Sequence, residues 1–374
     1  MQHYFRNKFI MMESLRIKNF KNLKELTIER LSRVNLIVGK NNVGKSSLLE
    51  AVSIYITNGE ENWLREILAD RGEEIRNADG DRIDAENVKL HYISLFSEWE
   101  ENYSKDFEIE IGTNDKNEIP VRISQVYIRE GKMGRTSTSF EAIHKEMIGV
   151  QVDRNTITSA GLLVTSGSQS NIIPYNKERS YLNSFNEKYP FQYIPLFMIG
   201  RFANAKLFDK ISLSPDEDYV LDALRIINQD INRIRFIDTN EGRNSERIAV
   251  VTVKGSDKRY RLSSMGDGIN RILTIILALL NCKDGVLLLD EFETGLHYSV
   301  QDQLWEIIFM LSEKLNVQVF VTTHSNDCVG SFTRTNPGVG QLIRLVNHEG
   351  SIIPTILDDT EELRFASNNS VEMR

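Results

Sequence analysis

Apolar and polar residues alternate along Leu15–Phe20, which predicts a half-buried strand. Residues 32–38 are nearly continuously apolar from Val34 onward and predict a second strand, buried on both faces at the centre of a sheet. A glycine-bracketed turn follows. Residues 46–57 then place apolar side chains at positions 48, 49, 51, 52, 55 and 56, a helical spacing. Between 58 and 189 the pattern changes. Residues 60–84 are dense with charge around one short helical segment at 63–68, and residues 87–99 read as an amphipathic helix. Residues 107–111 and 121–128 alternate like antiparallel strands, while 132–170, rich in Gly, Ser and Thr, give few structural signals. Strand-like residues resume at 191–197. A helical signal spans 218–235, followed by strands at 248–254 and 259–262, a Ser/Gly turn and an apolar helix over 268–280. Two all-apolar strands, Gly285–Leu289 and Val317–Thr322, flank a helix at 300–315. Residues 341–346 and 351–356 form a hairpin turned at 347–350.

Alternating strands and helices of this kind predict an α/β fold with a mainly parallel central sheet, an antiparallel N-terminal lobe and an α/β insertion. The expected division is an N-terminal arm at 1–11, a domain formed by 12–57 with 190–356, an insertion at 58–189 within it, and a tail at 357–374. The charge-rich, loop-rich insertion suits a contact surface better than a core.

Composition narrows the setting. The chain has 374 residues, 41% of them hydrophobic, and a net charge of −8. That balance argues against a uniformly basic surface for nucleic acid but not against a local basic patch. Two cysteines, Cys282 and Cys328, make no disulfide framework and have no metal-ligand spacing, as in a reduced, cytoplasmic protein. The longest apolar run, 272–280, is too short to span a bilayer. The start of the chain lacks a secretory apolar core, so no membrane partner is expected.

Four segments carry candidate chemistry. Gly39-Lys-Asn-Asn-Val-Gly44-Lys45-Ser46 sits between a predicted strand and helix, the setting of a loop whose N–H groups surround phosphate oxygens. Gly39, Asn41, Asn42, Gly44, Lys45, Ser46 and Ser47 are the expected nucleotide contacts. Lys45 would reach the β and γ phosphates of ATP, and Ser46 would bind Mg2+. The apolar strand 285–289 ends in Asp290 and Glu291; Asp290 is placed for Mg2+, Glu291 to activate a water as general base. Ser264 and Gly266, in the turn before the apolar helix, form a second anion site. One triphosphate has no use for two such sites on one chain, so a head-to-tail pair of copies is expected. His324, at the end of strand 317–322, could bond the γ phosphate or hold the attacking water, and so joins Glu291 and Lys45 as a catalytic candidate. Between these lies the turn Glu291-Phe-Glu293-Thr-Gly-Leu-His297, a candidate interface loop in which His297 packs or bonds.

In this order the motifs resemble ABC-type ATPase heads of the SMC and DNA-repair class, and more closely the OLD-like (overcoming lysogenisation defect) ATPases. The likeness rests on 15–21 and 34–51, on Leu287-Leu-Leu-Asp-Glu-Phe-Glu-Thr-Gly-Leu-His and on Thr322-Thr-His-Ser. It covers about 12–57 and 190–356. It implies a P-loop NTPase head with Walker A residues Gly39, Gly44, Lys45 and Ser46 and the Walker B pair Asp290 and Glu291. Ser264 and Gly266 would then be signature residues and His324 the switch histidine. The likeness also implies a separately encoded effector, in systems that often act against phage. The Ser-Met-Gly-Asp-Gly signature is far from a transporter's. Tyr298 replaces a usual proline, and Gln125 and Gln192 compete for the Q-loop. Many OLD nucleases continue into a TOPRIM domain; the acidic run at 358–362 has no such domain behind it, so no nuclease activity is expected. Basic clusters at Arg225, Arg233 and Arg235 and at Lys254, Lys258, Arg259 and Arg261 leave DNA as a second candidate partner. A scaffold that binds ATP without turnover is a third reading, opposed by the presence of Glu291 and His324.

Overall fold

A computed structural model describes residues 9–69, 85–115, 118–133, 137–175, 187–195, 201–238, 247–256 and 258–357. The first part of the chain supplies β1 (Leu15–Phe20), β2 (Leu23–Ile28), β3 (Val34–Val38), α1 (Lys45–Ile56), α2 (Glu61–Ala69) and α3 (Ala85–Ile93). It continues through β4 (Glu108–Gly112), β5 (Val121–Met133), β6 (Ser137–Ile143), β7 (Ser159–Ser166), β8 (Gln169–Pro174) and β9 (Phe191–Ile194). Next come α4 (Arg201–Ile211), α5 (Glu217–Arg225), β10 (Ile231–Asp238), β11 (Arg247–Val253) and β12 (Arg259–Arg261). The remainder is α6 (Asp267–Leu280), β13 (Gly285–Leu289), α7 (Tyr298–Lys314), β14 (Val317–Thr322), α8 (Asn326–Thr335), β15 (Gly340–His348) and β16 (Ser351–Leu357).

The strands β3, β13 and β14 are buried along their whole length, because the sheet they form is covered on both faces. Its order is β16-β15-β3-β14-β13-β9; only the outermost β15–β16 pair is antiparallel. Side chains alternate between two cores. Leu287 and Leu289 pack with α6 residues such as Ile272 and Ile276, whereas Val286 and Leu288 pack with α1 residues such as Leu48 and Val52. Each such buried aliphatic side chain contributes ~1.5–3 kcal/mol relative to exposure. The crossovers leave the carboxyl ends of β3, β13 and β14 side by side at one sheet edge, where open α/β sheets bind ligands.

The antiparallel lobe has the order β2-β1-β4-β5-β7-β8, with β6 also paired to β5. Residues 58–189 therefore supply most of the sheet that β1 and β2 begin, and share one core with α1. A third sheet, β10-β11-β12, runs directly into the turn that precedes α6.

Several sequence expectations change. The helix over 218–235 stops at Arg225; Asn228 and Asp230 then form a turn, and 231–238 is strand β10. A register shift between Ile231 and Arg233 lets Ile231 and Ile234, three apart, both face inward, and that spacing imitates a helix. The helix over 87–99 ends at Ile93, because Leu95 O accepts from Lys21 N–H and Ser97 N–H donates to Asn19 O, tying 94–97 to the β1–β2 turn. Residues 132–170 carry β6, β7 and part of β8 rather than loop; Gly161 permits the close approach of β8, since a Cβ there would lie 2.3 Å from Ile173 O. Phe9 is buried and packs edge-on against Tyr189, which anchors the end of the arm on the core although Ile10 stays exposed. Residues 1–8 and the acidic run at 358–362 lie outside the described residues.

Candidate functional site

A cleft of about 810 Å³ opens at the carboxyl edge of β3, β13 and β14. One wall is the loop between β3 and α1. Gly39 (φ +151°), Asn42 (φ +63°) and Gly44 (φ +97°) take positive φ there, which curls the backbone. A Cβ on Gly44 would meet Leu23 at 2.8 Å and the Asn22 side chain at 2.9 Å, so the curl depends on glycine. Asn22 Nδ2 donates to Asn42 O at 3.1 Å and ties the loop to the β1–β2 turn. Lys45 is buried, and its Nζ donates to Gly39 O (2.8 Å) and Lys40 O (3.1 Å). Burial pulls the Lys45 ammonium below its usual value, opposed by the field of Asp290, Glu291 and Glu293. Asn41, Asn42, Gly44, Ser46 and Ser47 also line the cleft.

The opposite wall is built by β13 and β14. Asp290 is buried, and Thr322 Oγ1 donates to its Oδ1 at 2.5 Å. The same hydroxyl accepts from Glu291 N–H at 2.8 Å. Glu291 has φ +49°, a left-handed conformation that costs a non-glycine residue about 1–2 kcal/mol. Surrounding bonds hold it there: Arg271 Nη2 donates to Glu291 O at 3.0 Å, and Phe292 N–H donates to Thr322 O at 3.0 Å. Its side chain lines the cleft with Asp290 and His324. His324 leans on Glu293 rather than Glu291, with Nδ1 3.0 Å from Glu293 Oε1 and 3.9 Å from Glu291 Oε1. Glu293 also accepts from Thr323 Oγ1 (2.7 Å) and His324 N–H (2.9 Å), which fixes the turn that carries the histidine.

Lys45, Ser46, Asp290, Glu291 and His324 are thus brought together. Ser264 and Gly266 are not. Both are exposed and absent from the cleft wall, with Ser264 Oγ donating to Arg261 O. Gly268, two residues after Gly266, adjoins the turn after β13, for a Cβ there would lie 2.9 Å from Gly295 O. His297 caps α7, its Nδ1 accepting from Ser299 N–H. Neither Gln125, whose amide donates to Glu100 O, nor Gln192 lines the cleft.

Sequence reasoning missed Thr322 and Arg271, which act on neighbouring backbone and gave no spacing signal. It also missed the far end of the cleft. There Lys21 pairs with Glu50 at 2.8 Å, both buried, beside Trp99 and Tyr193. Lys21 and Asn22 follow directly on Leu15–Phe20 and were findable; Trp99 comes from the turn after α3 and was not.

The spacing from the glycine loop to the β14 turn fits one known family, described as "AAA domain, putative AbiEii toxin, Type IV TA system", across residues 34–327. The chain belongs to that family. It carries an AAA-family ATPase domain on an α/β P-loop NTPase fold. It is 26% identical to an "ATP/GTP phosphatase" of Helicobacter pylori over 337 residues, 85% of this chain and 86% of that protein. An uncharacterised protein of Methanocaldococcus jannaschii is 44% identical over 75 residues, 19% of this chain and 34% of that one. Among solved structures, an SMC head bound to the C-terminal winged-helix domain of ScpA covers 94% of this chain and 99% of its own. Its TM-score is 0.49 and its identity 12%. Among the described residues no helix is long and apolar enough to cross a membrane.

The residues present fit a nucleotide with magnesium. The curled loop offers amide donors, and Lys45 lies against the loop carbonyls beside three carboxylates. Among the described residues no cluster of three or more His, Cys, Asp or Glu could hold a metal alone. Ser46 and Asp290 line the same cleft, an oxygen donor set that suits Mg2+, which takes one or two protein ligands and completes its shell with phosphate and water.

Proposed function

We propose that the chain binds ATP with Mg2+ and hydrolyses it in a head-to-tail pair of copies, as a switch controlling a separately encoded effector. The observation that carries this reading is the split of the machinery: one cleft holds Lys45, Ser46, Asp290, Glu291 and His324, while Ser264 and Gly266 face outward from another surface.

The loop amides of 39–46 bind the β and γ phosphates, and Lys45 exchanges its carbonyl partners for phosphate oxygens. Ser46 and Asp290 hold Mg2+, which when bound neutralises charge on the phosphates. Glu291 takes a proton from the attacking water, aimed by the strained backbone that Thr322 and Arg271 hold. His324, oriented by Glu293, meets the γ-phosphate oxygens. Ser264, Gly266 and the N-terminus of α6 from the second copy close over the same phosphate. The family description and the likeness to OLD-like ATPases support a bacterial defence role, with the effector as partner.

Mixing two inactive variants tests the pairing. Lys45→Ala and Ser264→Arg, each inactive alone, regain about a quarter of wild-type turnover when mixed, since half the pairs are mixed and each holds one intact site. A mixture with no activity would sink the head-to-tail arrangement.

One observation favours DNA as a further partner. The registers Arg233↔Thr252↔Arg259 and Arg235↔Val250↔Arg261 set four arginines on the outer face of the third sheet, opposite Ile234 and Val251 in the core. Arg235 is paired with Glu217, and Arg225 with Asp222. Turnover stimulated by DNA, with a steep salt dependence lost in Arg233→Ala/Arg259→Ala, would establish this face.

A further inference from the structure

Arg271 is among the largest fully buried side chains, 2% exposed, on a helix whose neighbouring residues Ile272, Leu273, Ile275 and Ile276 are apolar and buried. Its Nη2 donates to the carbonyls of Asp290 (2.8 Å) and Glu291 (3.0 Å). Among the described residues its Nε and Nη1 have no hydrogen-bond partner. A guanidinium buried with two idle donors is an unfavourable arrangement that a leucine or methionine at the same position would avoid. Burial pulls the guanidinium below its usual value, opposed by the field of Asp290, Glu293 and Glu291.

What the arginine does that an apolar side chain would not is join two segments. It lies five residues beyond Gly266, roughly 7–8 Å along α6, and hydrogen-bonded helix makes that span stiff. At its other end it grips both carbonyls of the peptide units that set Glu291 at φ +49°. Gly268 in the first turn of α6 already abuts the turn after β13, so a shift of α6 is felt there too.

We propose that Arg271 is a positioning residue that couples the signature segment to the general-base carboxylate: when a partner copy's nucleotide engages Ser264 and Gly266, α6 and Arg271 fix the backbone of Glu291. The idle Nε and Nη1 give the side chain spare donors for that engaged state. This inference rests on the reading of Glu291 as the base and extends it to how the base is controlled.

The test uses the full chain with Arg271→Met, which fills the space without donors, and Arg271→Lys, which keeps a charge and reaches the carbonyls with one group. Steady-state ATP turnover is expected to show kcat at least about tenfold lower in Arg271→Met, with KM within about threefold and a Tm near wild type. Arg271→Lys should recover part of the loss. Wild-type kcat in a Met variant of wild-type Tm would overturn the proposal, as would a loss that merely tracks Tm across the two variants.

Amide hydrogen exchange provides a readout independent of turnover. Exchange at 290–293 should be faster by about tenfold in the Met variant while 285–289 keeps its protection, and unchanged exchange at 290–293 would overturn the link. If the wild-type chain binds ATP but releases no phosphate, the hydrolysis reading fails, and the exchange result still decides the role of Arg271. Should Arg271→Met fail to fold, Arg271→Leu carries both arms: intact exchange and kcat there, with no donor left for the two carbonyls, would contradict the coupling.

Discussion

Replacing Thr322 with valine removes one hydroxyl and almost no volume. That hydroxyl is fully buried, donates to Asp290 Oδ1 at 2.5 Å and accepts from Glu291 N–H at 2.8 Å. The valine leaves a buried carboxylate oxygen and a part-buried N–H without this partner together. An unsatisfied buried group costs about 1–3 kcal/mol, more when charged, so the variant should lose about 2–5 kcal/mol of stability. Thr322→Ser keeps the hydroxyl and loses a methyl group, a loss of about 1 kcal/mol. Urea unfolding of the three proteins gives the difference as a shift in midpoint at constant slope. The same bond holds Glu291 at positive φ, so Thr322→Val should also lower kcat at least tenfold, since a carboxylate that relaxes from its aimed position loses roughly the 10²–10⁴-fold gain of a placed general base. A valine variant within about 0.5 kcal/mol of the serine variant would refute the reasoning, for the hydroxyl would then hold nothing that water could not.

Three further outcomes follow from the same geometry. Gly44→Ala forces a Cβ to within 2.8 Å of Leu23 at φ +97°; ATP affinity measured by calorimetry should fall at least about tenfold while Tm changes by only a few degrees. Lys188 lies over the Tyr55 ring and is pulled by burial down to about 8, below its unfolded value, so the unfolded chain binds more protons above that pH. Stability should therefore rise with pH between about 8 and 10, and Lys188→Met should flatten that rise in urea midpoints. Cys282 and Cys328 are fully buried with thiols pushed up by burial, so a thiol reagent at pH 8 should label neither until the chain is unfolded.

The glycine loop, the Asp290–Glu291 pair and His324 were legible because each sits at the end of an apolar strand, and strand ends of one parallel sheet must share an edge. The central sheet itself was legible from β3, β13 and β14, whose continuous apolar runs admit few other readings. Of the antiparallel lobe, β1, β4 and the start of β5 were legible from their alternation, and β6 to β8 were not. β6 and β7 mix Ser, Thr and Gly with their apolar residues and take their strand character from pairing with β5, and β8 takes its own from pairing with β7, long-range facts absent from local pattern. β10 was read as helix because a register shift gave Ile231 and Ile234 a helical spacing. Thr322, Glu293 and Arg271 went unassigned for a related reason: each acts by holding a neighbour's backbone or ring, and spacing along the chain does not report who holds whom.

The central claim is that Lys45 binds and Glu291 activates within one cleft. Phosphate release from ATP by the purified chain, beside Lys45→Ala and Glu291→Gln, tests it most directly. The account predicts turnover in the wild type, no ATP binding in Lys45→Ala, and ATP bound within a few-fold of wild type but hydrolysed at least about 100-fold more slowly in Glu291→Gln. Wild-type turnover in Glu291→Gln, or undiminished binding in Lys45→Ala, would contradict it.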